Sequence, residues 1–313
     1  MKTFIVVNPH SADRATGKHW PAMRTVIRQA LGEFEEALTI GPEDATNLVR
    51  DALRSGVRRI IAVGGDGTNN EVVNGFFDGK RPIAPEAQLG FIPRGTGGDL
   101  RKTLKIDKSL DACLRVLSSG QVQEVDVGAT RFVGHDGAER QRLFINITSF
   151  GLGGLVDATV NASSKMLGGK ISFLLGTFRA LMAYDNKTIR LKVDDTFNDQ
   201  IVINNVAVAN GQYFGGGMWV APEAKPDDGL FDVVILGDLS RGEIIRKTNC
   251  IYKGIHLRMP KVSFFRGKHV EATCDQEVLI DMDGEQPGRL PITLDVLPRA
   301  LRIIAPPFLY QKG

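Results

Sequence analysis

The chain has 313 residues, 42% hydrophobic and 24% charged, the balance of a globular protein long enough for two domains of ordinary size. A formal charge of +3 gives no basic excess for nucleic-acid binding, and no apolar run approaches the roughly 18 residues of a membrane span. Cys113, Cys250 and Cys274 lack metal-ligand spacing and suit a reducing cytosol; the N-terminus enters a strand-like segment with no secretory apolar region.

Residues 4–7 predict an apolar strand, closed by Asn8-Pro9 and a polar loop over 11–18. Residues 12–19 lack the leading glycine and the terminal Ser/Thr of a P-loop, which excludes that motif. Met23, Ile27, Ala30 and Leu31 mark a helical face, residues 37–40 a short strand, and Ala45, Leu48, Val49, Ala52 and Leu53 a second helix that stops at Gly56.

The central stretch is 60–77. Residues 60–63 read as a strand buried on both faces, followed at once by Gly64, Gly65 and Gly67, which strip Cβ atoms from one turn and let a ligand lie against bare amides. Thr68 and Glu71 have capping-box spacing, and Val72, Val73, Phe76 and Phe77 share one helical face, so a helix is expected from Thr68. A strand, a glycine turn and a helix N-terminus make a phosphate site. Asp66 in that turn would repel a bare phosphate, which points to a metal-nucleotide; the alternative is a tight turn in which Asp66 caps the helix.

Residues 89–92 predict a further strand, ending in a second glycine turn, Pro93-Arg94-Gly95-Thr96-Gly97-Gly98-Asp99. In an alternating strand-and-helix pattern such turns lie along one edge of a parallel sheet, so Asp66 and Asp99 are expected to face one crevice, unless Asp99 merely caps the helix over 100–104. Leu110, Cys113, Leu114 and Leu117 mark the next helix, closed by Gly120.

From about residue 122 the texture changes. Strands are predicted at 122–127, 143–148, 189–193, 201–208, 231–236, 262–265, 278–282 and 292–296, many without helices between them, which is the pattern of an antiparallel sandwich. Helices are expected over 173–184 and 243–252, and the domain boundary near residue 128, with a cleft between closely packed domains. Asn210-Gly211 and residues 214–217 read as hairpin turns. The loop 222–232 carries Glu223, Asp227 and Asp228 ahead of a strand, which suits either Mg2+ or Ca2+ or a solvated Asp-Gly turn. Asp283-Gly284-Glu285 has the form of a hairpin turn between two strands.

Asn8-Pro9, Gly64-Gly65-Asp66-Gly67-Thr68, Gly95-Thr96-Gly97-Gly98-Asp99, Asp228-Gly229-Leu230-Phe231-Asp232 and Asp283-Gly284-Glu285, in this order over nearly the whole chain, resemble the diacylglycerol kinase catalytic family. That family includes soluble bacterial lipid kinases, sphingosine kinases and ceramide kinases. The first glycine motif alone also fits NAD kinases and phosphofructokinase-like proteins; the later motifs select the lipid kinases. The resemblance implies an α/β nucleotide-binding domain over 1–128, to which a C-terminal strand at 300–306 returns, and a β-sandwich lipid-substrate domain over 129–299, with ATP in the cleft. It implies ATP contacts from Asn8, Thr39, Gly64, Gly65, Asp66, Gly67, Thr68, Asn69, Asn70 and Thr96, and phosphates ordered by Asp66 and Asp99 through Mg2+ and water. Asp228 and the carbonyls of Lys225 and Leu230 would hold a structural Mg2+, and Glu285 would be the general base. The chain departs from the family pattern at Ser11-Ala12, where Ser-Gly is usual, so that a phosphate-contacting lysine there is either Lys18 or absent, and at Gly98, where Asn is usual.

The resulting expectation is an ATP- and Mg2+-dependent kinase of a lipid hydroxyl, diacylglycerol or a relative, serving phospholipid biosynthesis from the cytoplasm. The alternatives are a kinase of a soluble acceptor such as NAD, and a non-catalytic lipid- or nucleotide-binding protein of the same fold. A homodimer is compatible with the sequence. Residues 241–268 hold eight basic residues and one acid, with Ile244, Ile245, Ile251, Tyr252, Phe264 and Phe265 interleaved, which suits either peripheral contact with anionic lipid at the inner membrane surface or a solvated basic face over core hydrophobes.

Overall fold

A computed structural model describes residues 1–95, 97–162 and 179–308. The chain divides into two compact units, Met1–Val127 with Leu297–Gly313, and Gly128–Val296.

The first unit is an α/β domain. Its elements in order are β1 (Thr3–Val7), α1 (Ala15–Leu31), β2 (Glu35–Leu38), α2 (Asp44–Arg54), β3 (Arg59–Gly64), α3 (Asp66–Gly75), the small hairpin β4 (Phe77–Asp78) and β5 (Arg81–Pro82), β6 (Gln88–Pro93), α4 (Asp99–Thr103) and α5 (Leu110–Ser119). The parallel sheet runs β6-β3-β1-β2. Its central strands bury Ile5, Val6, Val7, Ile60, Ile61, Ala62 and Val63 completely, which is why they read as continuous apolar runs rather than alternating ones. Near the C-terminus, Arg302 and Ile303 pair in parallel with Gln88 and Leu89 and extend the sheet beyond β6.

The second unit is a β-sandwich. It is built from the rest of β7 (Val122–Gly134), β8 (Glu139–Phe144), β9 (Ile147–Gly151), α6 (Leu152–Ala162), β10 (Lys187–Val193), β11 (Phe197–Ile203), β12 (Asn205–Ala209), β13 (Phe231–Leu236), α7 (Arg241–Tyr252), β14 (Val262–Gly267), β15 (His269–Thr273), β16 (Leu279–Met282) and the first part of β17 (Glu285–Ile304). One layer follows β14-β13-β12-β9-β16, and β11-β10-β15 supply the other, all antiparallel. Phe150, Val206, Val208, Val233 and Ile280 from the first layer meet Ile189, Leu191, Val193, Val270 and Ala272 from the second in one core. A second cluster, with Ala207, Val234, Leu236 and Ile251, fills the space under α7.

Several local expectations change. The helix expected from Thr68 begins at Asp66, with extended Gly65 as its N-cap, and Glu71 does not close a capping box: its carboxylate accepts from the Ala45 N–H at the start of α2. The strand expected over 201–208 is two strands. Asn204 interrupts it, its N–H donating to Leu236 O and Gly237 O, so β11 stays with β10 while β12 crosses to β9 and β13 in the opposite layer. Residues 292–296 and 301–304 belong to the single long strand β17. Asn210-Gly211 is no hairpin: both amides donate to Asn146 O, and the Asn210 side chain donates to Ile145 O. The loop at 214–217 does close tightly, with Phe214 bridged to Met218. The glycine-rich start of α6 gave no helical signal. There, Cβ atoms at Gly153 and Gly154 would fall 2.5 Å from Ser149 Oγ and 2.3 Å from Leu279 O, so the glycines let the helix lie against β9 and β16. Of the helix expected over 173–184, residues 179–183 are helical and 173–178 lie outside the described residues.

Candidate functional site

The carboxyl ends of β1, β2, β3 and β6 share one edge of the first unit's sheet, where ligands bind in open α/β folds. Asn8 follows β1 and its side-chain amide donates to Thr68 Oγ1 at 2.9 Å, so two residues sixty positions apart meet at the start of α3. Thr39 follows β2, is buried, and donates its N–H to Val7 O. Asn69 and Asn70 are also buried in α3.

The two glycine turns are locked together. Arg94 N–H donates to Gly64 O, and a Cβ on Gly95 would stand 2.6 Å from Gly65 Cα, a backbone atom that cannot yield. Asp66 Oδ2 accepts from the N–H groups of Gly98 (2.8 Å) and Asp99 (3.3 Å), so its carboxylate ties the first turn to the start of α4. Gly98 caps α4 in the left-handed conformation (φ 66°). That is a backbone reason for glycine at this position. Asp99 is buried and pairs with Lys102 Nζ at 2.7 Å. The structure thus brings together Asn8, Thr68, Gly64, Gly65, Asp66 and Asp99; Gly67 lies in the first turn of α3, and Thr96 lies outside the described residues. Lys18 is exposed within α1. The α3 N-terminus has no side-chain cap, and its glycine cradle fits a phosphate chain.

In the second unit, Asp283 (φ 51°) and Gly284 (φ 85°) form a tight turn with Met282 paired to Glu285. The buried Asp283 carboxylate accepts from the N–H groups of Ile145, Asn146 and Ile147, each at 3.0 Å. Arg142, on the β8 strand that leads into this corner, donates to Glu285 Oε2. Glu285 is therefore held by register, by an anchored turn and by an ion pair, while its side chain stays 38% exposed. A carboxylate so placed can take a proton from an approaching group.

The third constellation is at the start of β13. Leu230 N–H donates to Asp228 Oδ1 at 3.2 Å, and Arg266, paired across strands with Asp232, bridges Asp228 and Asp232. Burial, reinforced by Asp228 and Glu223, pushes the Asp232 carboxyl up to about 6, against the pull of Arg266. Among the described residues no three His, Cys, Asp or Glu side chains gather to hold a metal, so carbonyls or water would have to complete any shell. The carboxylates of Asp228 and Asp232 are hard oxygens of the kind Mg2+ takes, to which the resemblance adds the carbonyls of Lys225 and Leu230, and Asp232 Oδ2 is buried with no hydrogen-bond partner. The chemistry of the site fits such an ion.

The sequence offers no sign of the roles of Arg142 and Arg266, nor of Asp283 as the anchor of three amides. Asp283 reads as a turn residue and as part of a family motif, and the two arginines sit in strands whose partners are set by tertiary pairing.

The comparisons with known proteins bear on the two domains. Residues 2–130 match the diacylglycerol kinase catalytic domain model, and residues 146–305 match the YegS C-terminal NAD kinase beta sandwich-like domain model. The chain is thus a kinase-fold protein of two characteristic domains, and it belongs to the diacylglycerol kinase catalytic family. It is 28% identical over 307 residues to a diacylglycerol kinase of Bacillus subtilis (96% of this chain, 95% of that one). It is 26% identical over 309 residues to a diacylglycerol kinase of Staphylococcus epidermidis (98% and 93%). A Bacillus anthracis structure described as a candidate diacylglycerol kinase superposes with a TM-score of 0.79 at 24% identity, covering 98% of this chain and 95% of that one, a likeness of fold. Among the described residues no helix is long and apolar enough to cross a membrane.

Proposed function

We propose that the protein transfers the γ-phosphoryl group of ATP to a lipid hydroxyl, with diacylglycerol or a close relative as acceptor. The reading is carried by the joined glycine turns, in which Asp66 accepts from the Gly98 and Asp99 amides at the carboxyl edge of a parallel sheet. The names of the bacterial relatives support the acceptor class.

In this reading the amides of the Gly64–Gly67 turn and the α3 N-terminus cradle phosphate oxygens, Thr39 and Asn8 line the nucleotide edge, and Asp66 and Asp99 would order the phosphates through Mg2+ and water. Bound Mg2+ would neutralise charge building on the transferred group. Asp228, with the Lys225 and Leu230 carbonyls, would hold a second, structural ion. Glu285 removes the acceptor hydroxyl proton as that oxygen attacks phosphorus and ADP departs, and Arg142 and the Asp283 anchor keep the carboxylate in place. Little covalent help is needed; placement and charge carry the rate.

The test is incubation with labelled ATP, Mg2+ and a panel of diacylglycerol, sphingosine, ceramide, NAD and soluble alcohols, followed by separation of organic from aqueous product. Label in the organic phase is expected with a glycerolipid. Label confined to a soluble acceptor, or to none, overturns the reading.

A further inference from the structure

Helix α7 has one exposed face. Arg241, Gly242, Ile245, Arg246, Asn249 and Tyr252, with Lys253 at the C-cap, are exposed, whereas Ile244, Lys247 and Thr248 are half-buried and Ile251 is buried. At 100° per residue the exposed positions fall within an arc of roughly 140°, so they share one side of the helix. Ile244 and Ile251 on the opposite side pack on the core cluster beneath. Of the aromatics interleaved in this basic stretch, Phe264 and Phe265 also turn inward against the two cores.

What stays outside is specific. Ile245 is 57% exposed, Tyr252 47% and, just beyond the helix, Ile255 57%, three of the large apolar side chains most open to solvent. Beside them Arg246, Lys253 and Arg258 are exposed, and among the described residues no acid pairs with them. The acid of this segment, Glu243, is engaged by Lys247, Lys261 and the Ser240 cap, and Asp185 is taken by Arg241 at the far end. Helix and cap are rigidly seated: the capping box closes the N-terminus, and buried His256 holds the following turn through Val220 O. Apolar side chains flanked by unpaired cations complement an anionic bilayer, where the rings and chains enter the headgroup boundary and the cations stay among phosphates.

We propose that the α7 face built from Ile245, Arg246, Tyr252, Lys253, Ile255 and Arg258 docks the protein on an anionic lipid surface. The proposal deepens the lipid-kinase reading, since it names how that site would meet a substrate embedded in a bilayer, and it rests on that reading only for its purpose. Each basic residue near such a surface strengthens binding by about fivefold at low salt, an effect that fades as the Debye length shrinks.

The experiment is co-sedimentation of the full chain with phosphatidylcholine vesicles, with and without phosphatidylglycerol, at low and high salt. The wild type should bind only the anionic vesicles and release with salt. Arg246→Glu/Lys253→Glu should lower the affinity at least tenfold, and Ile245→Ser/Tyr252→Ser should leave a weaker, fully salt-sensitive remainder. Both variants alter exposed positions, so circular dichroism and phosphorylation of a short-chain, monomeric acceptor should match the wild type. Variants that sediment like the wild type, or a wild type that ignores phosphatidylglycerol, overturn the proposal. So does a concentration-dependent dimer abolished by the same substitutions, which would assign the face to a second copy of the chain. Failure of the kinase reading shows separately, as a wild type that binds vesicles yet phosphorylates no lipid.

Discussion

The two glycine turns of the first unit and the acidic turns of the second use opposite materials. Between Gly64 and Asp99 the site is main chain: Gly65 and Gly95 touch through Cα atoms, and a single acid, Asp66, bonds the second turn through its amides. Around Asp283 and Glu285 the site is side chain: one carboxylate gathers three amides and the other is held by Arg142. Packed backbone tolerates no added atom, whereas a charged side chain tolerates isosteric change and fails when its chemistry is removed. The first region should therefore lose stability and binding together, whereas in the second an isosteric change at Glu285 should cost catalysis alone.

The largest expected effect is at Glu285. Glu285→Gln keeps shape and loses the base, so kcat should fall ~10²–10⁴-fold while ATP affinity and melting temperature stay unchanged. A fall in nucleotide affinity of similar size would erase the contrast between the regions. Next is Asp283→Ala, which strands the amides of Ile145, Asn146 and Ile147 and should cost ~3 kcal/mol in urea unfolding. Activity should drop with it, because the turn that presents Glu285 loosens. Gly95→Ala places a Cβ 2.6 Å from Gly65 Cα and should cost about 1–3 kcal/mol while also weakening nucleotide binding; an unchanged variant would mean the turns are not locked.

The smallest effect is a control outside both regions. Burial would push the His269 imidazole down, but its hydrogen bonds to Asp295 and Glu271 carry it above its ordinary 6.5. The sign follows from linkage: the charged ring stabilises the fold fully below about pH 6.5, and the contribution is lost as pH rises through the higher folded value. His269 is partly exposed, so the difference between wild type and His269→Gln should be under ~1 kcal/mol, present at pH 6 and fading on the alkaline side.

Much of this architecture was legible residue by residue. Apolar runs at β1, β3 and β6 announced parallel strands because both their faces are buried, and glycine after β3 and β6 announced turns that bring backbone close to something. Where reading failed, a partner distant in sequence decided the outcome. Glu71 looked like the cap of its own helix and serves the start of α2 instead. The run at 201–208 is apolar on both sides of Asn204-Asn205, and no local pattern tells that the chain changes layers there.

The change of strand-and-helix texture near residue 122 determined the two-domain class, and the order and spacing of glycines and acids the family, because φ > 0 turns, close backbone approach and clustered carboxylates each admit few residue types. Only the folded molecule decided that Asp66 reaches the Gly98 and Asp99 amides, that Arg142 holds Glu285, that Arg266 bridges two aspartates, and that Ile245 and Tyr252 face solvent while Ile251 does not. Those pairings join residues far apart in the chain, and a long-range contact is set by the packing of whole strands and helices, which no local pattern encodes.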